Sequence, residues 1–326
     1  MKKRLFSVVL PIYKNELNLC DTIPKILREL PEILPDYDLE LIMINDASPD
    51  GSLKIMQDFQ LKYPSIIRIA SFVHNEGQAL AIHYGVSIAR GDAIGVISAD
   101  LQDPIAMFPE MVRSIEDGCD LVCGIRAERQ EKGLNALLSK LTHKMIKYFI
   151  NSQYPEGGFD FFVISRDLAS NWMKIKEHNG SMQLQLLSVS ANSRFISYTR
   201  MERNAGKSSW TFSKKIKYFI DTFASNSYIP LRIMSVFGSI CAGLSFLYGL
   251  FIFVRALFVD SDVPGWSSLA LIMIFFFGII LICLGIIGEY LWRVLDEVKQ
   301  RPLYFVKNEN FSEKAEDEDY KSSVDN

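Results

Sequence analysis

The chain has 326 residues, 49% of them hydrophobic, and a formal net charge of −3 at pH 7. This length allows one sizeable domain together with a membrane module, or two small domains. The five cysteines have no accompanying histidine cluster, which argues against a zinc site or a disulfide framework and fits a reducing cytosol.

The first part of the chain, residues 5–125, alternates short apolar runs with helix-like patterns. Strands are predicted at residues 6–12, 39–45, 67–73, 93–98 and 121–124. Helices are predicted at residues 17–30, 52–63, 78–90 and 105–116. The alternation predicts a Rossmann-like α/β domain with a mostly parallel sheet covered on both faces. Ligands of such sheets bind outside the carboxyl ends of the strands.

Polar segments follow the predicted strands, and two of them carry candidate functional acids. Asp100 comes just after an apolar strand and suits a divalent cation, because Mg²⁺ takes one or two protein carboxylates and completes its shell with water and phosphates. Asp103 and Pro104 are typical of a helix N-cap and the first helical residue. Asp46 either receives a base N–H or ribose hydroxyl of a nucleotide or belongs to a plain turn and helix cap.

Two long apolar runs without charges, residues 233–254 and 269–288, follow the α/β part. Each is about the length that a helix needs to cross the roughly 30 Å hydrocarbon core. Lys and Arg residues precede the first run and follow the second, whereas the connecting loop at 259–268 has none. The positive-inside rule therefore predicts a transmembrane hairpin whose two large ends are cytoplasmic.

These patterns divide the chain into four predicted parts. They are a cytoplasmic domain at 1–211, a juxtamembrane amphipathic helix at 212–232, two transmembrane helices within 233–292, and a cytoplasmic tail at 293–326. The last residues of the tail, 309–326, carry seven acids and two bases, so we expect them to be disordered and solvated. A basic amphipathic helix at 134–150 either packs on the core or lies on the membrane surface.

Four segments, VVLPIYKNE, INDASPDGS, HNEGQALAIHYGVSIARGD and SADLQDP, resemble glycosyltransferase family 2 in their order and spacing. Within that family the chain resembles the polyprenyl-phosphate glycosyltransferases, such as dolichyl-phosphate mannose synthase and the bacterial undecaprenyl-phosphate glucosyltransferases with two C-terminal spans. The resemblance covers about residues 5–300. It implies a GT-A fold, a nucleotide-sugar donor, Mg²⁺ or Mn²⁺ as cofactor, and inversion at the sugar carbon.

The resemblance also implies site residues on the donor side. Asp100 and Gln102 match the metal motif, but Ser98 stands where the family's first metal-binding acid is expected. The metal would therefore be held mainly by Asp100 and the donor diphosphate. Asn45 likewise stands where the family often has an acid. The residues that match the nucleotide-sugar site are Pro11, Tyr13, Glu16, Asp46, Asn75, Gln78 and Asp100.

On the acceptor side, GGFDFF around Asp160 resembles the family's Gly-Asp-Phe element, and RNAGKSSW resembles its basic loop. The resemblance assigns catalytic roles to Asp100, Asp160, Arg203 and Lys207, and contacts with the acceptor phosphate to Arg126, Arg203, Lys207 and Trp210. The residues alone leave alternatives open: Asp160 could be a buried, turn-capping carboxylate, and the basic residues could bind lipid headgroups.

The expected activity is transfer of a sugar, with glucose as the first choice, from a UDP-linked donor to a polyprenyl phosphate. The protein would be a multi-pass protein of the inner membrane with its catalytic domain in the cytoplasm, without a nucleic-acid partner, and homo-oligomerisation stays open. One alternative is transfer to another lipid or to a polysaccharide. A second is a non-catalytic sugar-nucleotide-binding scaffold, which Ser98 and Asn45 keep open. A dinucleotide oxidoreductase is disfavoured, because no G-x-G-x-x-G follows the first strand.

Overall fold

The structure is a computed structural model that describes residues 3–126, 144–148, 150–155, 157–177, 180–199 and 265–310, with scattered positions between 234 and 254. The juxtamembrane helix expected at 212–232 and most of the basic helix expected at 134–150 lie outside the described residues. The strands are β1 (Arg4–Ile12), β2 (Tyr37–Asn45), β3 (Ile67–Phe72), β4 (Ala93–Val96), β5 (Leu121–Arg126), β6 (Phe161–Ser165), β7 (Ser193–Tyr198) and β8 (Val306–Asn310). The helices are α1 (Glu16–Ile33), α2 (Ser52–Lys62), α3 (Gln78–Ile88), α4 (Phe108–Glu116), α5 (Arg166–Trp172), α6 (Met182–Val189) and α7 (Trp266–Val298).

The eight strands form one mixed sheet in the order β7-β5-β6-β4-β1-β2-β3-β8. The four neighbours β4, β1, β2 and β3 are parallel to one another. β6 runs antiparallel to both β4 and β5, and β7 pairs parallel with β5. The alternation of strands and helices predicted for residues 5–125 is therefore confirmed, with element ends that differ by a few residues. The loops after β1, β2, β3 and β4 consequently leave the sheet at the same edge.

Helices cover both faces of this parallel sheet because its strands are almost continuously apolar. On one face, Val8 and Leu10 of β1 share a buried core with Leu19 and Ile23 of α1. α3 packs on β1 and β2. Its Gly85 lies so close to β1 that a Cβ there would come within 2.3 Å of Val9 Cγ1. Helices α1 and α3 thus pack on opposite faces of β1.

A buried charge cluster, which we call the Glu40 cluster, joins β2, β3 and the segment after α3. The Glu40 carboxylate, on a residue 5% exposed, accepts hydrogen bonds from Ser7 Oγ at 2.5 Å and from the Arg90 backbone N–H at 2.9 Å. It also pairs with Arg68 Nη1 and Arg90 Nε, each at 3.1 Å. Burial alone would raise the pKa of Glu40, but these hydrogen bonds and the two guanidinium charges outweigh burial and lower that pKa.

The strand β8 corrects the expectation for the end of the chain. Residues 309–326 were expected to be disordered, but Glu309 and Asn310 belong to β8, which pairs antiparallel with β3. Tyr304 stacks on Phe72 with ring centroids 5.4 Å apart, and the Tyr84 hydroxyl donates to the Glu309 carboxylate. The sequence VKNEN shows no apolar alternation, as is usual for an edge strand. Hydrophobic periodicity could therefore not predict it.

The helix α7 belongs to a second compact unit, which comprises residues 178–181 and 212–301. It has 33 residues and continues ten residues beyond the predicted span at 269–288. Within the part of the chain that the structure describes, residues 276–298 form one stretch long and apolar enough to cross a membrane. Leu281 and Ile282 are 68% and 65% exposed. The described positions between 234 and 254 are helical, but they do not establish the second span of the predicted hairpin.

Candidate functional site

The loops after β1 and β2 are fastened to each other at the carboxyl edge of the sheet. The Lys14 and Asn15 backbone N–H groups donate to Ser48 Oγ and Ser52 Oγ, each at 3.2 Å. Glu16 Oε2 accepts from the Gly51 N–H at 2.9 Å. Of the residues predicted for the first nucleotide-binding loop, Pro11 is buried in β1, Tyr13 is 43% exposed just beyond it, and Glu16 begins α1. The structure thus brings the first two matched segments together.

Asp46 links the end of β2 to the loop after β3. Its carboxylate, on a residue only 3% exposed, accepts from the Glu76 N–H at 2.7 Å, the Gly77 N–H at 3.0 Å and Asn75 Nδ2 at 2.9 Å. Burial raises the pKa of Asp46 above its ordinary value, although the two backbone N–H groups oppose that shift. Asn75 is therefore placed directly beside Asp46. Gln78, the first residue of α3 directly after this loop, is exposed.

Asn45, where the family often has an acid, supports this edge of the sheet. Its Nδ2 donates to Ser71 Oγ on β3 at 2.8 Å, and its Oδ1 accepts from the Ser48 N–H at 3.1 Å. An ionised carboxylate can only accept hydrogen bonds, whereas an amide both donates and accepts. The asparagine therefore suits this position through the hydrogen bonds that it makes with neighbouring strands and loops.

The loop after β4 holds the candidate metal ligand Asp100. Ser98 Oγ lies 2.7 Å from Asp100 Oδ1 and 2.9 Å from Asp103 Oδ2. Asp100 is half-buried, whereas Gln102 is only 6% exposed. The hydroxyl of Ser98 therefore stands between two carboxylates.

The interpretation of Asp103 as a helix N-cap is wrong. Pro104 is extended, with φ −77° and ψ 119°, and is followed by a 3₁₀ turn at Ile105–Met107 before α4 begins. The N-cap positions of the two helical segments are Pro104 and Met107, and neither side chain makes a capping hydrogen bond. Asp103, only 2% exposed, instead accepts a hydrogen bond from the Tyr198 hydroxyl on β7. Because Pro104 is extended, the Asp103 carboxylate is separated from the first helical turn and bonds to a strand of the sheet instead.

Asp160 lies on a turn just before β6. The turn contains Gly157 and Gly158, which have φ values of 93° and 66° that favour glycine. Arg126 Nη2 lies 3.4 Å from Asp160 Oδ2, and the Asp160 side chain is 46% exposed. Gln183 Nε2 lies 3.4 Å from Asp160 Oδ1. Asp160 is thus a half-exposed carboxylate beside a cation, not the buried turn cap that the sequence left open.

The register partners Tyr198 and Arg126 on β7 and β5 both have shifted pKa values. Burial, followed by the charge of Asp103, raises the pKa of the Tyr198 hydroxyl above its ordinary value. Burial alone would lower the pKa of Arg126, but the Tyr198 hydroxyl and the Asp160 charge outweigh burial and raise it. Tyr198 is therefore a neutral donor to Asp103, and Arg126 is a permanent cation.

The resemblance implies a divalent cation, and the side chains after β4 are the candidate ligands for it. Among the described residues, no group of three His, Cys, Asp or Glu side chains could hold a metal ion. A cation of the Mg²⁺ type, however, takes one or two protein carboxylates and completes its shell with water and substrate phosphates. Asp100, with the Gln102 side chain nearby in sequence, fits a cation that binds together with the donor diphosphate.

Sequence reasoning did not single out Tyr198. It lies in the ordinary strand segment SRFISY, more than ninety residues from its partner Asp103, and its role follows from the pairing of β7 with β5. The predicted acceptor-side residues Arg203, Lys207 and Trp210 lie outside the described residues.

Comparisons with known proteins place the chain in a family. The sequence profile of glycosyl transferase family 2 matches residues 7–172. The uncharacterized glycosyltransferase YkcC of Bacillus subtilis (strain 168) is 33% identical over 303 residues, 93% of each chain. The bactoprenol glucosyl transferase of Shigella phage SfV is 32% identical over 307 residues, 93% of this chain and 98% of the phage protein.

Among solved structures, mannosyl-3-phosphoglycerate synthase from Rubrobacter xylanophilus is similar with a TM-score of 0.46 and 16% identity, over 80% of this chain and 79% of that one. The family profile runs from within β1 to the end of α5 and therefore includes Asp46, Asp100 and Asp160. The likeness to the two curated relatives extends over nearly the whole chain. The protein therefore belongs to glycosyl transferase family 2, and its α/β domain is the GT-A domain of that family.

Proposed function

We propose that this glycosyltransferase moves glucose from UDP-glucose to a polyprenyl phosphate at the cytoplasmic face of the membrane, with inversion at the sugar carbon. The observation that carries the proposal is the 32% identity, over 93% of this chain, to a protein named bactoprenol glucosyl transferase. The structure supports it in two ways. The matched donor residues Asp46 and Asp100 follow parallel strands at one edge of the sheet, and α7 exposes large apolar side chains.

The proposed reaction is a displacement at the first carbon of the glucose. An oxygen of the polyprenyl phosphate forms a bond to this carbon while the bond to the UDP oxygen breaks, and UDP leaves with the electron pair. The second pKa of a phosphate monoester is about 6, so the acceptor is already largely dianionic at neutral pH and needs no general base. Orientation of the two substrates and neutralisation of the departing diphosphate are the remaining tasks.

Different side chains would carry out these two tasks. Asp46, with Asn75 beside it, would orient the nucleotide at the ends of β2 and β3. Asp100, with Gln102, would hold Mg²⁺ or Mn²⁺, which when bound neutralises negative charge on the diphosphate. Arg126 and Asp160 would orient the acceptor from the β5–β6 side. Arg203, Lys207 and Trp210, by their match to the family's basic loop, would contact the acceptor phosphate.

The test uses the purified full-length protein in detergent with undecaprenyl phosphate, Mn²⁺ or Mg²⁺, and one donor at a time: UDP-glucose, UDP-galactose, UDP-N-acetylglucosamine or GDP-mannose. We expect UDP release and a glucosylated lipid, identified by mass spectrometry, only when both substrates are present. The anomeric coupling of the product reports inversion. UDP binding without transfer from any donor would favour a non-catalytic scaffold and refute the proposal.

Loss of either basic side chain of the 203–207 loop is expected to impair transfer. Arg203→Ala and Lys207→Ala should each remove a charge-assisted contact with phosphate, which costs about 1.5–3 kcal/mol, or roughly tenfold to a hundredfold in kcat/KM for the polyprenyl phosphate. Arg113→Ala, which removes an exposed cation on α4, is the control. Unchanged kinetics for both substrates in both loop variants would show that this loop does not contact the acceptor.

The proposed hairpin makes a prediction about topology. Gly238 and Cys241 line an open apolar groove together with Phe276 and Cys283 of α7, as expected if two spans pack side by side. In a variant whose five cysteines are replaced by serine, we expect a new cysteine at Gly265 to react with an impermeant maleimide on intact cells. Cysteines at Lys54 and Ala315 should react only after the cells are opened. Labelling of positions 54 and 265 from the same side would rule out the hairpin.

A further inference from the structure

A polar network connects the loop after β4 with the turn before β6. Ser98 Oγ contacts both Asp100 and Asp103, and the Asp103 carboxylate in turn accepts from the Tyr198 hydroxyl. Arg126, the register partner of Tyr198 on β5, interacts electrostatically with the same hydroxyl and pairs with Asp160 at 3.4 Å. We call this series the Tyr198 network: Asp100, Ser98, Asp103, Tyr198, Arg126 and Asp160. It joins the carboxylate assigned to the donor with the carboxylate assigned to the acceptor.

The network has a buried centre and more exposed ends. Asp103 is 2% exposed and Tyr198 is 7% exposed, whereas Asp100 is half-buried and the Asp160 side chain is 46% exposed. The two terminal carboxylates are therefore accessible to substrates. The buried central pair, Asp103 and Tyr198, can affect the substrates only through the side chains that it contacts.

The sheet fixes the centre of this network. Arg126 and Tyr198 are register partners on the paired strands β5 and β7. The Tyr198 ring packs edge-on against Phe161 of β6 with centroids 5.8 Å apart. A Cβ added at Gly124 would lie 3.1 Å from the same ring. The position of the ring is thus determined by packing, and the hydroxyl remains available for polar contacts on both sides.

We propose that Tyr198 is a positioning residue that fixes the donor-side carboxylate Asp100 and the acceptor-side carboxylate Asp160 relative to each other. The inference rests on the proposed function, because that function assigns the donor to Asp100 and the acceptor to Asp160. Transfer requires the attacking oxygen to lie about 3–3.5 Å from the sugar carbon, and a misplacement of about 1 Å can cost roughly a hundredfold in rate. A hydroxyl that restrains both sides therefore affects kcat more than the affinity for either substrate.

The chain offers a matched pair of variants for the test. Tyr198→Phe keeps the ring and removes the hydroxyl. Tyr84→Phe makes the same change at a tyrosine that is 5% exposed and donates to the carboxylate of Glu309, outside the Tyr198 network. Steady-state kinetics with UDP-glucose and undecaprenyl phosphate, calorimetric titration of UDP with Mn²⁺, and thermal unfolding are measured for both variants and the wild-type protein.

We expect Tyr198→Phe to lower kcat by about tenfold to a hundredfold, with KM and the UDP dissociation constant changed far less. Tyr84→Phe should keep the wild-type kcat, even if both variants lose similar thermal stability. Wild-type kcat in Tyr198→Phe, or a loss of UDP affinity as large as its loss of kcat, would overturn the inference.

A second measurement does not depend on activity. Hydrogen–deuterium exchange with UDP and Mn²⁺ should be faster in Tyr198→Phe than in the wild-type protein at both residues 98–103 and residues 157–160, and unchanged there in Tyr84→Phe. Unchanged exchange at either segment in Tyr198→Phe would refute the coupling, whatever the activity. Inactivity of the wild-type protein with all donors would instead refute the proposed function, while the exchange result still decides whether Tyr198 couples the two segments.

Discussion

Replacement of Asp100 by Asn is expected to lower kcat for glycosyl transfer by about a hundredfold to a thousandfold, the range found when an electrostatic group that stabilises a developing charge is removed. Ser98 is neutral where the family's first metal-binding acid is expected, so Asp100 supplies the charge of that motif. Asp103 is buried and engaged with Tyr198 and Ser98, so it is poorly placed to substitute. The amide has the shape of the carboxylate but lacks its charge.

The measurement is single-turnover transfer together with Mn²⁺ titration, which should show a higher metal requirement in Asp100→Asn. Asp117→Asn, at an exposed carboxylate just after α4, is the control and should behave as the wild-type protein. Thermal unfolding of both variants reports whether the fold is intact. If Asp100→Asn turns over at a near-normal rate, the cation binds elsewhere or is not required.

The largest effect on stability is expected in the Glu40 cluster. Glu40→Gln removes the negative charge and leaves the Arg68 side chain, which is 13% exposed, buried without its counter-charge. The loss of one partner of a buried pair costs about 3–5 kcal/mol in the free energy of unfolding. Glu29→Gln, which breaks a longer contact of 3.7 Å with the 70% exposed Arg28 side chain, should cost less than about 1 kcal/mol.

The same cluster predicts a dependence on pH. The pKa of Glu40 is lowered in the folded state, so the unfolded state binds a proton more readily. The stabilisation is thus fully present above the ordinary glutamate pKa of about 4.3 and is lost as the pH falls through the folded pKa. Urea unfolding at several pH values should show a steeper acid loss of stability for the wild-type protein than for Glu40→Gln. Parallel curves would show that Glu40 is not linked to acid unfolding.

The sequence predicted the parts of the fold that are local and apolar. The strands β1 to β4 and the helices between them follow from hydrophobic periodicity, because each buries a regular set of side chains against its neighbours. The polar strand β8 carries no such pattern, since its contribution is backbone pairing at the edge of the sheet. Periodicity thus detects elements that are buried and misses an element that is held by its backbone.

The candidate site was predictable where its residues follow strand ends in sequence. Asp46, Asn75 and Asp100 all lie just after parallel strands, so topology alone brings them to one edge. Asp103 was misinterpreted because a local rule for helix caps competed with a contact to Tyr198 on a distant strand. Such a contact depends on how β7 and β5 pair, and no short motif encodes that pairing.

The return of β8 to the sheet has a consequence for biogenesis. During translation β3 leaves the ribosome long before residues 306–310, and all of α7 is made in between. The outer edge of β3 therefore stays open, as a potential site of wrong strand pairing, until the apolar helix has been synthesised. The catalytic domain can complete its sheet only after that helix has left the ribosome, so maturation of the enzyme is timed by synthesis of its most apolar segment.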